Sequence, residues 1–309
     1  MINNYSFKLL PDFAKIFEQG SGEKNDEVIW SVQSTNDPRT NGEGNRGHLY
    51  FIMEYDILPG MQRDTENGRP FKRFRPTNFT LDVLFNDRLN DTRYDKTFKH
   101  VFYSNNGATI PKVNGVPKYN VGDTSIWLPG VELPASVVNS KPYAVYTPSK
   151  YSPKIFPSLI KFLDPLRPDR TYEQGSRDFL VYRLAETYLI AAEAAMYAGD
   201  DIAAANFINA VRLRAARTST DPVQSAAYRT AMMATPAMMN IDFMLDERGR
   251  EFLGEQMRWF DLVRTGKLLE RVKKWNPDAA AIKDHHVLRP IPQEQIDRTT
   301  SIFKQNAGY

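Results

Sequence analysis

A chain of 309 residues carries 40 Lys and Arg against 37 Asp and Glu, and the net charge of +3 is too small for this size to mark an electrostatic surface for nucleic acid. The lack of cysteine excludes disulfide staples, thiolate metal sites and a cysteine nucleophile. The length admits two domains or one large one; no window approaches the roughly 18 consecutive apolar residues of a membrane span, and residues 1–10 lack the charged start and apolar run of a secretory signal.

In chain order, residues 11–20 place Phe13, Ile16 and Phe17 on one face ahead of Gly20, which predicts a short helix. Residues 27–33, EVIWSVQ, predict a buried strand, and residues 36–47 are dense in Asn, Gly, Asp and Arg, which is loop chemistry. Residues 56–76 continue irregular, and a second short helix is expected over residues 78–85 after the break at Pro76. Residues 87–104 alternate toward their end, with Phe98, His100 and Phe102 set against Val101 and Tyr103, and predict a strand running into a loop. Residues 105–157 are rich in proline and have almost no helical periodicity. Tyr119, Trp127, Tyr143, Tyr146 and Tyr151 argue that this excursion is ordered.

Helical periodicity begins at Asp178: Leu180, Leu184, Tyr188, Ala191 and Ala195 recur at three-to-four spacing until Gly199. Asp200 or Asp201 can cap a second helix whose inner face holds Ala204, Ile208 and Val211. Small Ala192 and Ala204 would let the two approach closely as an antiparallel hairpin of the tetratricopeptide kind. A solenoid needs about three such repeats, and this sequence shows one. Three more helices are expected over residues 242–256, 258–265 and 267–275, with Asp242 as a cap and Gly254 and Gly266 as breaks.

Catalytic and metal motifs are lacking. Glu247, Glu251 and Glu255 share one helical face, whereas general acid/base work needs two carboxylates opposed across a substrate. Neighbours on one helix, interleaved with Arg248, Arg250 and Arg258, are read as ion pairs. His285 and His286 are adjacent while His48 and His100 are isolated, and no ligand spacing for a metal occurs. No nucleophile elbow, phosphate loop or dinucleotide fingerprint is present. Neither a metal nor a cofactor is therefore expected.

The best binding chemistry lies in the irregular excursion. Sugars present apolar ring faces and rims of hydroxyls, so their sites combine aromatic planes with amide and carboxylate hydrogen-bonders. Trp127, Tyr119 and Tyr103, with Asn120 and Asp123 and near Asn105, Asn106 and Asn114, match that demand in type. The competing reading packs these aromatics beneath the loops. A further candidate surface is Arg63 and Asp64 with the Asn-rich loop 36–47.

The stretch DERGREFLGEQMRWFDLVRTG (246–266) has two companions, FLVYRLAETYLIAAEAAMYAGD (179–200) upstream and LRPIPQEQID (288–297) downstream. Together they resemble the C-terminal half of the SusD/RagB family, surface lipoproteins with which Bacteroidetes capture glycans or peptides for an outer-membrane transporter. EVIWSVQS, GMQRDTENGRPFKRFRPT and NDTRYDKTF also look like family segments. The resemblance implies a mainly α, SusD-like fold: a tetratricopeptide-type hairpin plus further helices, with long ordered loops and small β-elements. Residues 1–309 would form one C-terminal unit, strand- and loop-rich over 1–177 and helical over 178–309. It implies a non-catalytic receptor at the outer-membrane surface, holding an oligosaccharide or peptide for a SusC-like TonB-dependent transporter. The family's N-terminal lipid anchor and helical hairpins would lie outside this chain, which reads as a partial member. In the family the RWFDL motif is scaffold, and Trp259 is accordingly assigned to the core beside Phe252, Phe260 and Leu262, with Arg258, Asp261 and Arg264 pairing at i, i+3. A glycoside hydrolase and a helical-repeat scaffold for a protein partner are the rival readings.

Overall fold

Short elements make up the chain through residue 177. The computed structural model describes residue 2 and residues 4–309. Asp12 accepts a bond from the Ala14 amide at 2.9 Å and starts a 3-10 turn, Phe13–Phe17, that buries Phe13 and Ile16. Strand β1 (Val28–Val32) follows, then two single-turn helices, α1 (Pro38–Asn41) and α2 (Gly47–Tyr50), inside what the sequence presents as loop. A π-helical turn, Phe79–Leu84, stands where a short helix is expected. The first part of the expected 87–104 strand is instead helix α3 (Arg93–Thr97), which leads into β2 (Phe98–Lys99) and β3 (Val101–Tyr103). The excursion is ordered by β4 (Lys112–Val113), β5 (Val116–Pro117), β6 (Thr124–Trp127), α4 (Ala135–Asn139), β7 (Ala144–Val145) and β8 (Ser158–Leu159).

The expected helix start at Asp178 is wrong by one element. Residues Phe179–Arg183 form β9, antiparallel to β1, and helix α5 (Leu184–Tyr197) begins only after it. FLVYR is aromatic and β-branched, and it finds a partner more than 140 residues upstream that local periodicity cannot reveal. Nor is β1 buried as expected: Trp30 is 56% exposed and Val32 52%. The sheet has only these two strands, so Trp30 stacks across it on Tyr182, with ring centroids 6.0 Å apart, in place of facing a core.

The hairpin forms as read. Gly199 takes φ +80°, and the Asp200 side chain accepts from the Ala203 amide at 2.9 Å to cap α6 (Asp201–Arg214). Ala192, Ala204, Ile208 and Val211 are fully buried together between α5 and α6. Helix α7 (Pro222–Met232), capped by Asp221, has no counterpart in the sequence reading. Helix α8 (Ile241–Glu251) is capped by Asn240, which accepts from Phe243 at 2.9 Å, and not by Asp242, whose carboxylate pairs with Arg271. Then come α9 (Arg258–Arg264), α10 (Leu268–Trp275) and α11 (Gln293–Arg298). Gly254 and Gly266 break the chain with φ of +81° and +68°.

A buried ionic cluster joins the two parts. Arg93 meets Asp91 at 2.7 Å, Glu247 at 2.8 Å and Glu251 at 3.2 Å; Arg183 meets Glu251 at 2.6 Å, Glu255 at 2.8 Å and Glu27 at 3.2 Å. Arg214 closes on Glu27 and Glu251, Arg212 on Glu247, and Lys161 on Glu255 at 2.9 Å. The three glutamates of α8 and its exit do form ion pairs, but of the arginines interleaved with them only Arg250 takes part, at 2.9 Å from Glu247. Burial alone would raise the Glu251 carboxyl; Arg214, Arg183 and Arg93 outweigh it and bring it to about 2. Breaking one partner of such a cluster strands a buried charge, at a cost of about 3 to 5 kcal/mol.

The signature segment is scaffold with two corrections. Trp259 is half-buried against the cluster of Leu245, Leu262 and Leu268, and the Arg289 guanidinium covers its ring at 5.6 Å, which links the 288–297 motif to the 246–266 one. Phe260 is 62% exposed and lies outside the core. Asp261 pairs with Arg248 at 2.7 Å and Arg264 at 2.9 Å, whereas Arg258 donates to the Leu245 carbonyl at 2.5 Å.

Candidate ligand-binding surface

Strand β6 stands between β3, antiparallel, and β7, parallel. Phe102 and Ile126 pair in register and turn inward, fully buried, against Ile52, Met53, Tyr55 and Phe156. Their neighbours are unevenly exposed: Ser125 is fully buried, bonded to the Pro59 carbonyl, and the register slips between Phe102 and Tyr103. Trp127, opposite Val101, is half-buried, and Tyr103, opposite Thr124, is 56% exposed. The hydroxyl and ring of Tyr103 are thus available to solvent at the sheet margin.

The loop from Ser104 to Asp123 is fixed by its own polar residues. The Asn105 side chain donates to Asp64 at 2.6 Å and to the Gln62 carbonyl at 2.9 Å, and it accepts from the Gln62 amide at 2.7 Å. Asn106 accepts from the Ala108 amide at 3.2 Å. Asn114 and Gly115, with φ of 50° and 82°, turn the β4–β5 hairpin. These asparagines hold the loop. Asp123 accepts from the Asn120 amide at 2.8 Å, which closes a turn, and the Asn120 side chain is exposed.

Tyr119 departs from the expectation. It is buried, and its hydroxyl donates to the Pro59 carbonyl at 3.1 Å and lies 3.2 Å from Ser125 Oγ. Gly60 makes room for it, since a Cβ there would stand 2.8 Å from the Tyr119 hydroxyl. Its ring therefore serves as packing under the loop and offers no face to a sugar. Tyr103, Asn120 and Asp123 are exposed, and Trp127 is half-buried. Of the other candidate surface, Arg63 is held by Asp56 at 2.9 Å, and Asp64 accepts from the Asn67 amide at 2.7 Å. The 36–47 loop does reach a cavity of about 340 Å³, where Asn45, Arg46 and Gly47 face Tyr50, Phe51 and Phe179.

Sequence reasoning missed a second cavity, of about 350 Å³, between the signature helices and residues 74–80. It shares Phe51, Gly254 and Gln256 with the first. Gln256 holds φ +64° at this shared lip, a left-handed conformation costly for a residue with a side chain. No group of His, Asp and Glu able to hold a metal occurs among the described residues, and none of their helices is long and apolar enough to cross a membrane.

Comparison with known proteins decides the family. The model of the SusD family matches residues 16–309. The chain belongs to the SusD family. SusD-like protein P25 of Formosa agariphila is 31% identical over 137 residues, 41% of this chain and 24% of that protein. Among solved structures, surface glycan-binding protein A from Bacteroides thetaiotaomicron, in complex with laminarihexaose, superposes with a TM-score of 0.55 at 22% identity over 99% of this chain and 57% of that one. A laminarin binding SusD-like protein gives 0.59 at 22% over 99% and 55%, and B. fragilis NanU gives 0.60 at 20% over 100% and 56%. At these identities the structures establish the shared fold, mainly α and SusD-like. The chain spans little more than half of each solved relative and a quarter of the curated one.

Proposed function

We propose that this SusD-family chain is part of a non-catalytic receptor at the outer-membrane surface that binds an oligosaccharide and passes it to a SusC-like TonB-dependent transporter. The observation that carries the reading is the family itself, two of whose solved members are described as bound to laminarihexaose or as laminarin binding. Chemistry at the β3–β6 face agrees: Tyr103 and Trp127 supply aromatic planes for the apolar faces of sugar rings, and the Asn120 amide can both donate to and accept from hydroxyls.

The acids argue for binding without turnover. A glycosidase needs one carboxyl held protonated near neutral pH and opposed to another across a gap. Glu247, Glu251 and Glu255 are buried, tied to arginines or Lys161, and held below the ordinary carboxylate range by those cations in spite of burial. They stay ionised and cannot donate a proton. Calorimetric titration of the purified protein against a panel of β-glucan and other oligosaccharides, with the recovered ligand analysed for cleavage, tests the proposal. Saturable binding of at least one oligosaccharide, recovered intact, is expected. Turnover that survives further purification and disappears on changing a single carboxylate would overturn it.

A further inference from the structure

The 350 Å³ cavity lies between α8, α9 and α10 on one side and residues 74–80 on the other, and its walls are chiefly apolar, with Phe74, Phe79, Phe252, Met257 and Trp275 among them. Its volume falls within the range of small-molecule sites, about 300 to 1,000 Å³. Four arginines also reach it, Arg75, Arg248, Arg258 and Arg271, together with one carboxylate, Asp261. Three of the arginines are neutralised locally. Arg75 pairs with Asp278 at 2.5 Å, Arg248 with Asp261 at 2.7 Å, and Arg271 with Asp242 at 2.8 Å and Asp246 at 2.5 Å.

Arg258 is the exception. It donates to the Leu245 carbonyl, lies 5.8 Å over the Phe79 ring, and makes no ion pair among the described residues. Burial, with Arg271 nearby, outweighs the attraction of Asp246 and Asp261 and holds it down to about 10, so the site disfavours its charge yet leaves it charged at neutral pH. A second donor on a residue of the same lining has no hydrogen-bond partner among the described residues: Nη1 of Arg248, on a side chain only 3% exposed. Gly249 of α8 keeps the approach open, since a Cβ there would come within 3.4 Å of Arg258 Nη1 and 3.0 Å of Leu84. A half-buried cation lining an apolar hollow, with a further unsatisfied N–H on the same lining, is complementary to an anion attached to an apolar body.

We propose that this cavity binds a small carboxylic acid with an aromatic or apolar body, its carboxylate paired with Arg258 and Nη1 of Arg248 and its ring packed among Phe79, Phe252 and Trp275. This site is separate from the β3–β6 face, and its chemistry is not that of a neutral glycan. A ligand here would brace the signature helices against residues 74–80.

The test uses 3-phenylpropionate as probe and 3-phenylpropanamide as its neutral counterpart, titrated into the purified protein by calorimetry and tryptophan fluorescence. Saturable binding of the acid, roughly tenfold or more tighter than the amide, is expected. The fluorescence change should vanish in Trp275→Phe while calorimetric binding remains. Arg258→Lys should keep the charge and part of the affinity, and Arg258→Gln should lose the preference for acid over amide. Should Arg258→Gln fail to fold, the acid-to-amide ratio of the parent protein still decides. Equal binding of the two probes, no saturable binding of the acid, or a fluorescence change that persists in Trp275→Phe would overturn the proposal. So would binding of the peptide Gly-Gly-Phe without binding of the free acid, because that assigns the cavity to a polypeptide end.

Discussion

At the residue scale, burial decides which side chains are free to act. Tyr119 and Tyr103 are indistinguishable by type, and only the tertiary approach of residues 59–60 puts one inside and leaves the other out. No local signal marks that difference. Trp259 was legible as scaffold because its motif repeats an amphipathic pattern, but its cover, Arg289, lies thirty residues on in a segment without periodicity. Trp259→Ala is expected to lower stability by about 3 kcal/mol, the lower end for a large aromatic because the ring is half-buried. A denaturant titration that finds no loss would contradict the scaffold assignment. His48 gives a second case. Burial, with Arg167 nearby, lowers its imidazole from 6.5 to about 4, and its Nε2–H donates to the Glu173 carbonyl at 2.9 Å. A depressed folded pKa means that this contribution is whole above about 6.5 and is lost as pH falls to about 4, some 3 kcal/mol in all. His48→Gln should flatten the urea midpoint over that window; a parent protein whose midpoint is already flat there would refute the assignment.

At the element scale, helices with regular apolar spacing were readable, and so were β1 and the β2–β3 segment, but not β9 or which strands pair. The hairpin of α5 and α6 was read from the spacing of Leu184, Tyr188, Ala204 and Ile208, with one glycine and one aspartate at the turn, although Leu189 and not Tyr188 is fully buried. The β1–β9 sheet needs two segments that meet only in the folded chain, so FLVYR looks like the first turn of the helix it precedes. Breaks were readable at Gly199, Gly254 and Gly266, but not at Gly60, Gly68 or Gly130, and the first turn ends at Phe17, short of Gly20. Gly254 is such a position: φ is +81°, and a Cβ would stand 2.6 Å from Leu159 and 3.0 Å from Phe162. Gly254→Ala is expected to cost about 2 kcal/mol or more, since left-handed strain and a clash add. A thermal melt unchanged by that substitution would show that the α8 exit relaxes more readily than its contacts imply.

At the scale of the whole molecule, the ionic cluster ties residues 27, 91, 93 and 161 to the helical part, and we propose that the chain unfolds as one cooperative unit because of it. The sequence showed the glutamates but not their partners, which lie up to 158 residues away. Glu251, at about 2 in the fold against an ordinary 4.5, contributes stability that is whole above about 4.5 and is lost as pH falls toward 2, on the order of 3 kcal/mol. Acid unfolding in a single transition within that window is the expected outcome, and two separated transitions would contradict the single-unit proposal. The proposed binding role rests on the β3–β6 face, whose framework was legible in the family motifs and whose membership was not, because loop aromatics carry no periodicity. The most direct test of the account is the affinity of Trp127→Ala and Tyr103→Ala for an oligosaccharide that binds the parent protein, measured beside their melting temperatures. A loss of about 1 to 3 kcal/mol in binding with melting nearly unchanged is expected, by analogy with aromatic stacking on planar ligands. Unchanged affinity in both variants, or unfolding of both, would place the glycan elsewhere.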